Sequence, residues 1–278
     1  MARRRRRWWA GGDDDYEDLA ELEGGKPGDD RLPRQAVTLG AGDARAHELL
    51  ATGTVVGIKP IPWGSNYSFV AVLSDGRGPG LMTVYKPRRG EIPLWDFPDG
   101  TLYQREYAAF LVAEALGLGF IPPTVIRDGP HGVGTFQLFV EADESTEYYG
   151  FRKQHSDELR AIALFDVVSN NADRKAGHCF KGRDGRIWGI DHGLCFNVVP
   201  KLRTVIWDFC GQQLPEPLLS QIMEFCTDAE RERQLRKRLN GLLHPDEIEA
   251  FFVRLCRVVE RGELPVLDPY RNVPRGFF

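Results

Sequence analysis

Two stretches of the chain hold residues whose types and spacing suit chemistry. Asn170-Asn171-Ala172-Asp173-Arg174-Lys175-Ala176-Gly177-His178 is a polar run at the end of an apolar helix pattern. Ile190-Asp191-His192-Gly193 sets a lone acid at the end of a strand pattern. The residues between them, Cys179 to Ile190, read as a short hairpin that turns at Asp184-Gly185. Such a hairpin gathers Asp173, His178 and Asp191 around one point. Phosphoryl transfer needs a set of this kind: one acid facing the attacking hydroxyl, and a second acid with a neighbour that holds Mg²⁺ on the phosphates.

The elements that must position these residues follow from periodicity. Ser156 is a candidate N-cap, and Leu159, Ile162, Ala163 and Val167 form the apolar face of the helix that delivers the Asn170–His178 loop. Upstream, Asp43 is a candidate cap for a short helix running to Thr52. Residues 53–58, 67–73 and 81–86 then read as an antiparallel meander. The turn at Gly64-Ser65-Asn66 is small enough to present backbone N–H groups to a phosphate, which makes Ser65 and Asn66 nucleotide-contact candidates. It lacks the GxGxxG and P-loop patterns, and taken alone it reads as an ordinary hairpin turn. Lys86, at the end of the third strand, is placed to reach nucleotide phosphates, with an exposed edge lysine as the plain alternative.

Residues 103–116 have helical spacing, with Tyr103, Tyr107, Phe110 and Leu111 on the apolar side. Glu106 borders that stripe, so it can turn inward if a cation meets it, and Lys86 is the candidate partner. Two more strands are expected at 124–127 and 134–140. The second leads through Val140 into the acidic stretch Glu141-Ala142-Asp143-Glu144, a natural hinge whose backbone can pair with an adenine edge. The remainder, 214–264, reads as helices. Strands followed by helices predict an α+β fold in two lobes. The expected divisions are a disordered charged tail over 1–36, a β-rich lobe over 37–141 and a mainly helical lobe over 142–278.

Composition narrows the function classes. A net charge of -4 over 278 residues gives no global attraction to nucleic acid or membrane. No apolar run reaches the ~18 residues of a spanning helix. The five cysteines, Cys179, Cys195, Cys210, Cys226 and Cys256, are not spaced as zinc pairs, and read as reduced thiols of a cytoplasmic protein. Arg3 to Arg7 is a basic run that can touch anionic lipid or nucleic acid. An export signal would need an apolar stretch next, whereas Asp13-Asp14-Asp15 follows closely.

In this order of elements the sequence resembles the protein-kinase-like superfamily, in particular its phosphatidylinositol 3-/4-kinase branch and a small actinobacterial family annotated alongside it. The resemblance spans roughly residues 53–260 and is specific in Asn170–His178 and Ile190–Gly193. Lipid and secretion-pathway kinases carry an Asp-Arg pair like Asp173-Arg174. HipA-type kinases share a run similar to Asn170-Asn171-Ala172-Asp173-Arg174, and Asp191-His192-Gly193 matches the metal-binding tripeptide. The 18 positions from Asp173 to Asp191 suit the branch.

The resemblance implies ATP and Mg²⁺ as cofactors. Asp173 would act on the acceptor hydroxyl with Arg174 bracing the loop, Asp191 would hold metal, Lys86 paired with Glu106 would contact phosphates, and Val140 would form the adenine hinge. Two residues depart from the pattern. His178 stands where a metal-binding Asn is usual, so either it binds a softer ion such as Mn²⁺, or Asn171 supplies the oxygen, or metal affinity is weak. Lys175 stands where lipid kinases have histidine. The expected function is ATP-dependent transfer to a hydroxyl on a phosphoinositide, another small molecule or a protein. The alternatives are a pseudokinase that binds nucleotide without turnover, and an interaction protein working through the arginine run.

Overall fold

In the computed structural model the described residues are 36–62 and 64–274. They lie within one unit, Leu32–Phe278. The arginine run and most of the expected tail fall outside them.

Helix α1 (Ala44–Thr52) starts where Asp43 accepts a hydrogen bond from the Arg45 N–H at 2.8 Å. The meander follows as β2 (Thr54–Pro60), β3 (Phe69–Ser74) and β4 (Gly80–Pro87). A two-residue strand, β1 (Ala36–Val37), which the hydrophobic pattern does not announce, runs parallel to β4. After helix α2 (Leu102–Ala115) come β5 (Thr124–Gly129) and β6 (Gly132–Leu138). The sheet order is β2-β3-β4-β6-β5, so β6 pairs antiparallel with β4, its register placing Lys86 opposite Thr135.

Alternation along β4 decides which side chains reach the cleft. Leu81, Thr83 and Tyr85 are buried on the face covered by α1, together with Leu49, Leu50, Phe69 and Phe136. Val84 and Lys86 therefore point the other way. Strand β6 ends at Leu138, two residues before the expected end. Beyond it the chain changes partner: Phe139 N–H still reaches Met82 O, but Glu141 O and Asp143 N–H bond to Arg183 and Lys181.

The helical part contains α3 (Tyr148–Phe151), α4 (Ser156–Ser169), the hairpin β7 (Cys179–Lys181) and β8 (Ile187–Gly189), then α5 (Glu216–Thr227), α6 (Ala229–Leu239) and α7 (Pro245–Arg261). The expected hairpin is present, with Gly185 at φ 81° in its turn. Helix α6 opens on charged turns, and Asp228 caps it by accepting from the Glu230 and Arg231 N–H groups. Ala108, Ala109, Leu111 and Val112 of α2 share one core with Leu159, Ile162 and Phe165 of α4 and Phe251 and Leu255 of α7. The fold is thus α+β, with a sheet that is antiparallel except for the short strand β1, and seven α-helices among the described residues. None of those helices is long and apolar enough to cross a membrane.

Candidate active site

The polar loop is built from the end of α4. Asn170 closes the helix in the left-handed region, at φ 54°. Its Nδ2 donates to Asn197 O and Val199 O, both at 2.8 Å, and its Oδ1 accepts from Lys201 N–H at 2.8 Å. Asn171 is buried, with Nδ2 donating to Asp166 Oδ1 at 2.8 Å and Oδ1 accepting the Asp173 N–H at 3.0 Å. Both ends of that buried amide thus take part in holding the loop.

The expected Asp-Arg pair splits between two faces. Arg174 is fully buried. Its Nε donates to both oxygens of the equally buried Asp166 at 3.1 and 3.0 Å, and its Nη2 to Asp166 Oδ1 at 2.9 Å. Nη1 holds Ile190 O at 3.0 Å and His178 O at 3.3 Å, and Nη2 donates to His192 Nε2 at 2.7 Å. Arg174 is therefore a positioning residue that ties the loop to the strand end carrying Asp191. Asp173 faces outward, in an ion pair with Lys175 Nζ at 2.9 Å.

Asp191 follows β8 with φ 62°, a conformation that a non-glycine residue adopts only when its surroundings impose it. Its half-exposed carboxylate meets Lys86 Nζ at 3.1 Å through Oδ1 and His178 Nε2 at 3.3 Å through Oδ2. Lys86 also reaches Glu106 Oε2 at 3.1 Å, so the lysine, the inward glutamate and the strand-end acid come together. The Lys86 cation holds the Asp191 carboxyl well below the usual carboxylate range. Burial works to lower the Lys86 pKa, but Asp191 and Glu106 outweigh it and leave the ammonium more firmly protonated than usual.

His178 is tuned by its second nitrogen. Nδ1 lies 3.0 Å from Asp173 O, against 3.4 Å from Lys175 N, so the shorter contact assigns the proton to Nδ1, donating to the carbonyl. Nε2 then presents a lone pair toward Asp191 Oδ2. Burial lowers the His178 pKa despite Asp191, which keeps the ring neutral near pH 7. Two lone-pair donors 3.3 Å apart, with a second interaction fixing the imidazole, fit a bridging divalent cation. Among the described residues no group of three or more His, Cys, Asp or Glu is placed to hold a metal. Asp191 and His178 are the two of these side chains that stand close enough to share an ion, and an imidazole ligand suits a softer ion such as Mn²⁺ better than Mg²⁺.

Beside this cluster is a cavity of about 580 Å³, lined by Val84, Lys86, Leu138, Val140, Phe180 and Ile190 among others. Val140 makes no hydrogen bond through its N–H or C=O among the described residues. Arg183 and Glu141 pair at the rim at 2.8 Å. Ser65 and Asn66 are not part of the lining. Ser65 is exposed, and Asn66 Oδ1 accepts the Ile92 N–H at 2.9 Å, bracing the loop after β4. Sequence reasoning passed over two members of the cluster. Asp166 is an acid inside the apolar run Ala163–Val168, which was a usable signal. His192 is fully buried; its N–H donates to Glu106 Oε2 at 3.0 Å, and its Nδ1 lies 4.0 Å from Glu106 Oε1.

Comparison with known proteins agrees with this architecture. The chain is 36% identical over 263 residues to protein Rv2133c of Mycobacterium tuberculosis, covering 82% of this chain and 94% of that protein. It is 29% identical over 144 residues to phosphatidylinositol 4-kinase gamma 3 of Arabidopsis thaliana, covering 50% of this chain and 25% of the plant protein. No family profile matches the chain. Among solved structures, hydra Fam20 with sugar superposes with a TM-score of 0.54 at 16% identity, covering 84% of this chain and 93% of that one. The Golgi casein kinase superposes with a TM-score of 0.50 at 16% identity, covering 79% and 76%. The fold is kinase-like.

Proposed function

The chain belongs to the family of Mycobacterium tuberculosis protein Rv2133c, and from that premise and its fold we propose that it is an ATP-dependent phosphotransferase. The observation that carries this reading is Lys86 bonded at once to Glu106 and Asp191, each at 3.1 Å, on the wall of a 580 Å³ cavity. In the proposal the sheet-bearing residues 37–141 and the helical residues 142–278 contribute opposite walls of that cavity. Val140 offers its free backbone groups to the adenine edge. Lys86 contacts the nucleotide phosphates, and Glu106 fixes the lysine's position. Asp191 and His178 hold a divalent metal, which supplies charge neutralisation on the phosphates when bound. Asp173 orients the acceptor hydroxyl and receives its proton. Lys175 holds Asp173 in place through their ion pair at 2.9 Å until the phosphates arrive.

The acceptor is proposed to be a hydroxyl on a small molecule or lipid headgroup of the phosphoinositide kind. The similarity to a plant protein named as a phosphatidylinositol 4-kinase supports that choice over a protein acceptor, although this chain spans only a quarter of that protein's length.

The test is a thermal-shift titration with ATP in Mg²⁺, Mn²⁺ or chelator, on the wild type and Asp191→Ala. Ligand at 100 times its Kd adds about 2.7 kcal/mol of stability. A metal-dependent shift lost in Asp191→Ala is expected. No shift in any condition overturns the proposal, and a metal-independent shift without turnover moves the protein to the nucleotide-binding pseudokinases.

A further inference from the structure

A buried line of polar side chains runs from the brace behind the catalytic loop to the lysine at the cavity. Asp166 holds Arg174 at 2.9 Å, Arg174 Nη2 reaches His192 Nε2 at 2.7 Å, and Glu106 Oε2 holds Lys86 Nζ at 3.1 Å. One link in the line is open. His192 Nδ1 lies 4.0 Å from Glu106 Oε1, too far for a hydrogen bond, and neither atom has a partner among the described residues.

The arginine sets the proton positions. A guanidinium can only donate, so His192 Nε2 accepts and the proton of the neutral ring sits on Nδ1. The open link is therefore a donor beside an anionic acceptor. Both are enclosed. His192 is fully buried, its ring against Phe165 and Phe120 with centroids 5.4 and 6.0 Å away, and Glu106 is buried too. A phenyl ring would fill such a slot without leaving a polar atom unpaired, so the imidazole calls for a use. The load on Glu106 is uneven. Its Oε2 takes Lys86 Nζ at 3.1 Å and the His192 N–H at 3.0 Å, while Oε1 takes no donor among the described residues. Lys86 in turn is divided between Glu106 and Asp191.

We propose that His192 is a positioning residue: its Nδ1–H takes Glu106 Oε1 when nucleotide phosphates draw on Lys86, and so holds the glutamate, and through it the lysine, in place. This rests on the phosphotransferase reading above. Phosphate oxygens compete with Glu106 for the ammonium, and the carboxylate then gains from a second charge-assisted donor. Turning the carboxylate by about 1 Å brings the 4.0 Å gap into the ordinary N–H···O range. Helix α2 stays where its core contacts hold it. The Asp166–Arg174 brace then serves the nucleotide side of the site as well as the loop that carries Asp173.

The experiment uses the full chain with Mg²⁺, as wild type, His192→Phe, His192→Asn and His192→Gln. Asparagine sets an amide donor near the Nδ1 position. Glutamine sets its carbonyl near the Nε2 position and leaves no donor at Nδ1. AMP-PNP probes the phosphate contact; adenosine, which offers Lys86 no phosphate, controls for the fold and the base pocket. AMP-PNP affinity should fall about tenfold or more in the Phe and Gln variants and recover most of the way in Asn, with adenosine binding unchanged throughout. Equal AMP-PNP affinity in His192→Phe, a matching loss for adenosine, or Gln binding as tightly as Asn overturns the inference. NMR spectra of the wild type with isotope-labelled histidine test it without a variant: a proton on Nδ1 and none on Nε2 is expected, with the Nδ1–H signal moving downfield as AMP-PNP is added. A proton on Nε2, or a signal that stays in place, overturns the inference as well. Failure of AMP-PNP to bind the wild type overturns the phosphotransferase reading with it; intact wild-type binding confines the failure to His192.

Discussion

Replacing Arg174 by methionine should cost more stability than any change on the outward face of the same loop. The substitution removes three contacts to Asp166, at 2.9–3.1 Å, and leaves a fully buried carboxylate with only the Asn171 amide and the more distant Thr204 hydroxyl. Removing one partner of a buried ion pair costs about 3–5 kcal/mol. Ile190 O, His178 O and His192 Nε2 lose their donor in the same step, which places the expected loss toward the upper end. At about 2–4 °C per kcal/mol for a domain of this size, Tm falls by roughly 6–20 °C. Urea unfolding and a thermal scan on both proteins read the change. The double variant Arg174→Met with Asp166→Leu should recover at least half of the loss, because the penalty belongs to the stranded charge and disappears with it. A loss under about 1 kcal/mol in the single variant, or a double variant whose loss is the sum of the two singles, would refute the assignment of Arg174 to a buried ionic brace.

The facing residues predict different phenotypes. Asp173→Ala should abolish phosphoryl transfer while the ATP-induced thermal shift stays within error of wild type; full turnover in that variant would mean another group serves the acceptor. His178→Asn replaces the imidazole with an oxygen donor, so the ratio of Mg²⁺- to Mn²⁺-supported nucleotide binding should rise several-fold, as read by titrating each metal at fixed ATP. Burial lowers the pKa of both His178 and His192, the latter far below its usual value. The unfolded chain therefore takes up protons first as pH drops below about 6.5, and stability falls with it, by up to about 1.4 kcal/mol per pH unit for each histidine. Urea midpoints at pH 7.5, 6.0 and 5.0 in chelator should show this fall, and His192→Gln should flatten it; an unchanged slope would mean the ring is already charged in the folded protein.

The sequence made the site legible wherever local pattern and chemistry coincide. A polar run at the end of an apolar helix, a turn at Asp184-Gly185 and an acid after a strand sufficed to bring Asp173, His178 and Asp191 together, and the position of Glu106 beside an apolar stripe implied its pairing with Lys86. What escaped was set by contacts distant in sequence. The commitment of Asn171 and Arg174 depends on Asp166, one turn back in α4, and only the register with Thr204 shows which side chains of the loop face inward. The turn at Ser65-Asn66 looked suited to phosphate, yet Asn66 serves the backbone at Ile92, a role that small polar residues fill in many turns.

Helix α2 connects these parts. Two adjacent residues on it point to different partners: Glu106 to Lys86 and the His192 N–H, and Arg105 to Glu247 Oε1 of α7 at 2.7 Å and to Cys195 O at 2.8 Å. Ala108, Ala109, Leu111 and Val112 of the same helix lie in the core shared with α4 and α7 rather than in that of the sheet. Moving α2 so as to withdraw Glu106 from Lys86 would therefore break a buried ion pair and expose several core side chains in one step. Each of these costs kilocalories on its own. The arrangement that orients Lys86 is thus part of the fold's main stability, and control of this site is better placed in segments that can shift cheaply: the outward loop residues, the metal pair and the rim pair Glu141–Arg183, whose side chains remain 40% and 67% exposed.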